Sequence, residues 1–114
     1  MESTYLRFLT LVHALDGSSP AKVNVDETAK QLLNMIAVKH DEGKSMSVSE
    51  AMALGSIASP ATIHRKLNNL LEFGLIEQTF AANNRRTKYL APTKATNNYF
   101  ETLGEAMKQS ISII

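Results

Sequence analysis

The 114-residue sequence contains no cysteine. This absence excludes disulfide bonds, zinc sites with cysteine ligands and thiol-based redox sensing. Proteins of the reducing cytoplasm have no need of disulfides, so a cytoplasmic location fits the composition and is the one we expect.

The sequence also lacks a long apolar run. A helix that crosses a bilayer needs about 20 apolar residues, whereas the most apolar N-terminal stretch, residues 5–15, is interrupted by Arg7 and His13. Glu2 stands where a secretory leader carries positive charge. We therefore expect neither a membrane segment nor a signal peptide.

The motifs of the common enzyme classes are missing as well. His13, His40 and His64 fall on separate predicted helices and lack the spacing of metal ligands. There is no glycine-rich phosphate loop and no recognised nucleophile motif. The sequence thus predicts a protein that is not an enzyme and that holds no metal ion and no cofactor.

Charge is present but unevenly distributed. Hydrophobic residues make up 44% and charged residues 20% of the chain, with a net charge of +1, as expected for a globular protein with one core. Residues 59–94 contain six basic and two acidic residues, a net charge of +4, which leaves −3 for the remainder. Such segregation suits a polyanionic partner, although a chance cluster on a solvated face explains the charge alone equally well.

The N-terminal segment predicts a helix over residues 3–15 with two apolar faces. A helix that is apolar on two sides needs two burial surfaces, and in so small a protein we expect one of them to face a second subunit. Gly17 and Pro20 lie in the segment 16–20 that is expected to end this helix.

Two further helices are predicted before residue 55. One covers residues 27–42 after the N-cap residue Asp26, with apolar residues at spacings of three and four. The other covers 48–54 and begins with a capping box formed by Ser47 and Glu50.

The next helix, residues 60–73, follows a glycine-containing turn, with Ser59 as N-cap and Pro60 in the first turn. Two helices joined in this way are typical of a helix-turn-helix. Arg65 lies opposite the apolar face of this helix, and Arg, Asn and Thr are side chains that read base edges. The residues around Arg65 are short or hydrogen-bonding, and they are Ala61, Thr62, Asn68 and Asn69, with His64 and Lys66 at the margins.

A β-hairpin follows the glycine stop at Gly74. We predict strands over 75–80 and 87–90 and a tip over 81–84, where Asn83-Asn84 favours a turn because asparagine tolerates positive φ.

Arg85 and Arg86 project at or just after this tip. Paired arginines there suit a narrow minor groove or the clamping of phosphates, while ordinary solubility of an exposed turn is the alternative.

The last helix is predicted to start at Pro92-Thr93 and to carry an apolar stripe to the final residue. Gly104 inside it costs about 1 kcal/mol relative to alanine and indicates a kink or a close helix approach. Chain ends are normally polar, so we predict that this stripe and the N-terminal helix form a two-fold dimer interface. Its predicted residues are Leu6, Leu9, Val12, Phe100, Leu103, Met107, Ile111 and Ile114.

In these elements the chain resembles the MarR-like winged-helix transcriptional regulators over about residues 30–95. The runs that carry the resemblance are SPATIHR (59–65), LLEFGLIE (70–77) and NRRTKYL (84–90). The family pattern in these places is S-x-T-V-T-R, L-E-x-x-G-L-I and D-x-R-R-T-x-Y.

The resemblance implies a homodimer held by N- and C-terminal helices, with a recognition helix in the major groove and a wing in the minor groove. Three departures stand out. The wing has asparagine where an acidic residue is usual, so the ion pair of that residue with an arginine is missing. One C-terminal helix stands where two are common, which leaves a small-molecule effector possible but unsupported. The thiol-sensing branch is excluded because cysteine is absent.

The resulting prediction is a mainly α protein with a small β-hairpin wing, one winged helix-turn-helix domain over 1–114. Its core covers 26–92, and its dimerisation helices cover 1–16 and 93–114. As a function we predict sequence-specific binding of double-stranded DNA by a transcriptional regulator. The predicted DNA contacts are Ser59, Ala61, Thr62, His64, Arg65, Lys66, Asn69, Asn84, Arg85, Arg86 and Lys88.

Two alternatives stay open at this point. A winged helix also serves as a protein-interaction module, and a DNA-binding protein of this kind could act in plasmid or phage replication or partition. Retention on DNA at low salt separates the first alternative from the prediction.

Overall fold

The computed structural model describes residues 3–18, 25–81 and 83–111. They form five helices and one antiparallel β-hairpin, so the prediction of a mainly α protein with a β-hairpin wing is confirmed. The elements are α1 (Thr4–Ser18), α2 (Glu27–Asp41), α3 (Val48–Met52), α4 (Pro60–Glu72), β1 (Ile76–Ala81), β2 (Asn84–Pro92) and α5 (Lys94–Ile111).

The chain folds into two compact units. One unit contains α1 and α5, which pack against each other. The other unit, Val25–Thr93, contains α2, α3, α4 and the hairpin.

The Val25–Thr93 unit has a continuous apolar core. In it α4 packs against α2, α3 and β1, while β2 packs against α2 and α3. The periodic leucines and isoleucines of α2 and α4 supply most of the buried surface, because their spacing places them on one side of each helix. The buried apolar residues are Ala29, Leu32, Leu33, Ile36, Met46, Ala51, Ile63, Leu67, Leu70, Leu75, Ile76, Leu90 and Ala91.

A Schellman motif ends α4 and turns the chain into the hairpin. The Leu75 N–H donates to the carbonyl of Leu70 at 2.9 Å, and the Gly74 N–H donates to that of Leu71 at 3.1 Å. Gly74 has φ +71°, the left-handed conformation that this motif requires. The Thr93 hydroxyl donates to the Gly74 carbonyl at 2.7 Å and ties the turn to the residue after β2.

The hairpin differs from its predicted form. β2 begins at Asn84 and continues to Pro92, where we predicted a strand over 87–90 only. The pairing of Phe80 with Lys88 is followed by that of Ala81 with Asn84, so the register shifts between Phe80 and Ala81. Asn83 lies in a turn, as predicted, but the turn does not use positive φ at Asn83 or Asn84, since among the described residues only two glycines have positive φ.

Several helix boundaries also differ from the prediction. α1 continues through Gly17 to Ser18, because one glycine costs a helix only about 1 kcal/mol. α3 ends at Met52 instead of residue 54. α5 begins at Lys94, since Pro92 is still paired with Ile76 in the hairpin.

The close approach predicted at Gly104 is wrong for the described chain. A β-carbon at this position would meet no atom within 4 Å.

The unit of α1 and α5 buries little apolar surface. Of its residues with described side chains, those that are fully buried are Thr96, Ala106 and Ser110. The Arg7 guanidinium donates a hydrogen bond of 2.9 Å from Nη1 to the Ser110 carbonyl and so joins the two helices. Four large apolar residues, Tyr5, Leu6, Met107 and Ile111, are 54% to 64% exposed.

In the described part of the chain, no helix is long and apolar enough to cross a membrane.

Replacing Gly74 by alanine should lower the free energy of unfolding by about 1–2 kcal/mol, because an L-residue is strained at positive φ. Gly55→Ala is the matched control, since Gly55 has ordinary φ and open space around its α-carbon. Denaturant unfolding of both variants measures the difference. Equal stability of the two variants would contradict the role given to Gly74.

The capping box of α3 should make stability depend on acid pH. The Ser47 N–H donates to the Glu50 carboxylate at 2.9 Å, and hydrogen bonds from the Ser47 backbone and hydroxyl lower the pKa of Glu50 from its ordinary value of 4.5. A lowered pKa stabilises the fold above the ordinary value, and this contribution is lost as the pH falls through the folded-state pKa.

Glu50→Gln should therefore reduce the loss of unfolding free energy on acidification below pH 4.5, because glutamine also completes a capping box but does not titrate. Denaturant unfolding at neutral and acid pH measures this. Glu101→Gln in α5 controls for the loss of one charge. An unchanged acid loss in Glu50→Gln would show that the carboxylate does not stabilise α3.

Candidate nucleic-acid interface

The candidate interface is built on α4, whose start is fixed by side-chain hydrogen bonds. The Ser59 hydroxyl accepts from the Thr62 N–H at 3.3 Å and donates to the Thr62 hydroxyl at 3.1 Å. Pro60 occupies the first turn, where its missing N–H costs nothing. Ile63, Leu67 and Leu70 are buried, and their burial leaves the opposite side of α4 exposed.

The exposed side of α4 has the composition expected from the sequence. Arg65 is exposed at its centre, and Glu72, the only acidic residue of the helix, lies at its C-terminal end. Solvated helix faces more often carry pairs of opposite charge. The other exposed residues of α4 are Pro60, Ala61, His64 and Asn68, and Thr62, Lys66 and Asn69 are half-buried.

Chemically, this side of α4 offers hydrogen bonds without competing negative charge. An arginine presents two parallel donors that match O6 and N7 of guanine, and an asparagine amide matches N6 and N7 of adenine. A helix diameter, including side chains, fits the width of the B-DNA major groove.

Lys66 is engaged within the protein, which the sequence did not indicate. Its ammonium forms a hydrogen-bonded ion pair with Oδ2 of Asp26. Oδ1 of the same carboxylate accepts from the Ala29 N–H at 2.9 Å and caps α2. The Lys66 ammonium and the Ala29 N–H together hold the pKa of Asp26 below its ordinary value of 3.8.

The hairpin contributes a second set of basic residues to the same unit. Arg85, Arg86 and Lys88 are exposed, and both arginines lie next to the register irregularity of β2. A bulge or register irregularity bends its strand and redirects nearby side chains. The two arginines, which were predicted at or just after the tip, therefore lie within β2, next to the register irregularity. The side chain of Asn84 lies outside the described residues.

A cleft of about 210 Å³ lies between the start of α3 and β2. Ser47 and Ser49 line one side, and Arg86 and Lys88 line the other. The sequence identified Ser47 only as a cap and did not single out Ser49. Their position beside the wing depends on the bridge between Ser47 and Tyr89, and a contact across more than 40 residues leaves no local sequence signal.

Within residues 3–18, 25–81 and 83–111, no three histidine, aspartate or glutamate side chains are placed to hold a metal ion.

The sequence matches no protein-family model and no curated protein. Comparison with solved structures does give matches. RV1404 from Mycobacterium tuberculosis is similar over 96% of this chain and 69% of its own, with a TM-score of 0.65 and 18% identity.

Two further structures show the same likeness. MarR aligns over 90% of this chain and 72% of its own, with a TM-score of 0.55 and 20% identity. Streptococcus pneumoniae FabT, solved in complex with DNA, aligns over 94% of this chain and 71% of its own, with a TM-score of 0.58 and 20% identity. The chain therefore has the winged-helix fold of the MarR-like proteins.

Ser59→Ala should lower the free energy of unfolding by about 1 kcal/mol, because the Thr62 N–H loses its partner. Ser59→Asp restores a capping oxygen and should keep the stability of the unchanged protein. Thermal or denaturant unfolding distinguishes the two. If both variants were equally stable, the hydroxyl would not cap α4.

Proposed function

We propose that the chain is a sequence-specific transcriptional regulator that binds double-stranded DNA as a homodimer. The observation that carries this proposal is the exposed side of α4, where Arg65 is surrounded by small and hydrogen-bonding residues on a helix with one terminal acid. The fold shared with FabT, whose solved structure contains DNA, supports it.

In this proposal α4 is the recognition helix and enters the major groove. Arg65, Thr62 and Asn69 read base edges: Arg65 by paired donors to guanine, Asn69 by its amide, and Thr62 by its hydroxyl or methyl group. Ala61 and His64 contact the neighbouring bases and backbone. The Thr62 hydroxyl accepts from the Ser59 hydroxyl at 3.1 Å, which restrains its direction and favours a selective contact.

The wing and the start of α4 supply the backbone contacts. Ser59, Arg85, Arg86 and Lys88 bind phosphates or enter the minor groove, and Asn84 lies at the start of the same strand. These contacts raise affinity for any duplex and fix the protein's register, while base contacts provide sequence selection.

The homodimer is proposed from the unit that contains α1 and α5. Leu6, Met107 and Ile111 are exposed. Helices gain most of their stability from packed apolar faces. In this unit almost no apolar residue is fully buried within one chain. The half-buried members of the predicted interface are Leu9, Val12, Phe100 and Leu103, and Ile114 lies outside the described residues.

Arg65→Ala should weaken binding to a duplex selected from a random-sequence pool by roughly 1–3 kcal/mol and relax base preference at one position. Affinity for a scrambled duplex of equal length should change little. Lys108→Ala, at an exposed position of α5, is the control for the loss of one positive charge. If Arg65→Ala bound both duplexes like the unchanged protein, α4 would not be the reading helix.

Combined replacement of Arg85 and Arg86 by alanine should produce a different signature. It should weaken both duplexes alike and reduce the slope of log affinity against log salt by about two, because two phosphate contacts are lost. An unchanged slope would show that the wing does not contact the DNA backbone.

Failure of the unchanged protein to bind any duplex at low salt would favour a protein-interaction module.

Replacing Met107 and Ile111 together by glutamate should raise the dimer dissociation constant at least about tenfold, because charge would be buried without partners. Val38→Glu controls for a glutamate at an exposed apolar position, since Val38 is as exposed as Met107, at 54%, but lies on α2. Sedimentation equilibrium measures the change. A monomeric unchanged protein at micromolar concentration would contradict the homodimer.

A further inference from the structure

Lys66 is the basic residue of α4 whose position the structure restrains most strongly. Its side chain is 16% exposed, whereas that of its partner Asp26 is 53% exposed. The ammonium donates to Oδ2 of Asp26, so the stem is covered by protein and the charged end has an anionic partner. Arg65, the next residue along the helix, is exposed.

Asp26 connects two helices through one carboxylate. Oδ1 caps the N-terminus of α2 through the Ala29 N–H, and Oδ2 holds Lys66 in the second turn of α4. The first helix of the Val25–Thr93 unit is thereby tied to the recognition helix by a contact separate from the apolar core. Asparagine at position 26 would keep the cap but could not form the ion pair.

The contact bears on the direction in which Arg65 points. Consecutive residues of an α-helix are rotated by about 100°, so a restraint on Lys66 also fixes the rotation of α4 at Arg65. The buried residues Ile63 and Leu67 restrain the same turns from the other side. Arg65 also lies close enough to Asp26 to contribute electrostatically to the ionisation of this carboxyl.

We infer that Lys66 is a positioning residue, which sets the rotation of α4 through its ion pair with Asp26 and so determines sequence preference without contacting DNA itself. This revises the DNA contact that the sequence predicted for Lys66, and it rests on the proposed DNA-binding function. Loss of the pair leaves α4 packed by its apolar face but allows Arg65 to turn away from the base edge.

A positioning role and a phosphate contact have different consequences. A lost phosphate contact weakens all sequences alike and lowers the salt slope by about one. A lost positioning contact weakens the selected sequence, leaves the scrambled one unchanged and keeps the slope. An unstable variant has a smaller active fraction, which lowers the apparent binding of both duplexes equally.

The test uses the full chain with Lys66→Gln, Asp26→Asn and the two changes combined. Binding to a duplex selected from a random-sequence pool by the unchanged protein, and to a scrambled duplex of the same length, is measured over a range of salt concentrations. Arg85→Ala is the positive control for a lost phosphate contact, and thermal unfolding confirms that each variant is folded. Asp26→Asn keeps the N-cap and so guards against loss of the fold.

All three variants should bind the selected duplex about two- to fivefold more weakly, the range expected from an ion pair near the surface. The combined variant should be no weaker than either single one, since both remove the same contact. Affinity for the scrambled duplex and the salt slope should not change.

Two results would overturn the inference while leaving the proposed function intact: a salt slope lowered by about one in Lys66→Gln, or tighter binding by Asp26→Asn, which would mean that Asp26 withholds Lys66 from phosphate. If the unchanged protein bound neither duplex at low salt, the proposed function itself would fail, and the inference with it.

Discussion

The burial of one face of α4 is the constraint on which the proposed interface depends. Ile63, Leu67 and Leu70 are buried in the core that this helix shares with α2. Because the apolar face of α4 is held against the core, the opposite side of the helix is exposed to solvent. Arg65 lies on that side. The Schellman turn at Gly74 then directs the chain into the hairpin, so the same helix end that completes the core also begins the wing.

Two kinds of contact act on this arrangement. The apolar face of α4 holds the helix in the core and determines which side faces solvent, but because dispersion and burial are not directional, small rotations about the helix axis remain possible. Hydrogen bonds are directional, and α4 has them at its start, through Ser59 and Thr62, and at its second turn, through Lys66 and Asp26. The core therefore fixes the position of α4 and its exposed side, and these polar contacts restrain the remaining small rotations.

The parts of the fold that follow from local chemistry could be predicted from the sequence. Capping residues such as Asp26, Ser47 and Ser59 each accept the backbone hydrogen bond expected of them, because capping depends on residues three positions apart. The helical periodicity of the apolar residues likewise predicts that Ile63 is buried and that Arg65 is exposed.

The features that could not be predicted from the sequence depend on contacts between residues far apart in the chain. The ion pair of Lys66 joins residues 40 positions apart, and the irregularity of β2 depends on which residues pair across the hairpin. From the sequence, the role of Lys66 can therefore be predicted only from its residue type. The exposed stripe of α5 was predictable as a pattern, but the sequence could not show that Met107 stays exposed when α1 packs against this helix.

Footprinting on the DNA that flanks the protein's own gene tests the central claim most directly. A homodimer with α4 in the major groove should protect two half-sites whose centres lie about one helical turn, roughly 10 base pairs, apart. The absence of any protection at low salt, or protection of a single half-site by a monomer, would contradict the account.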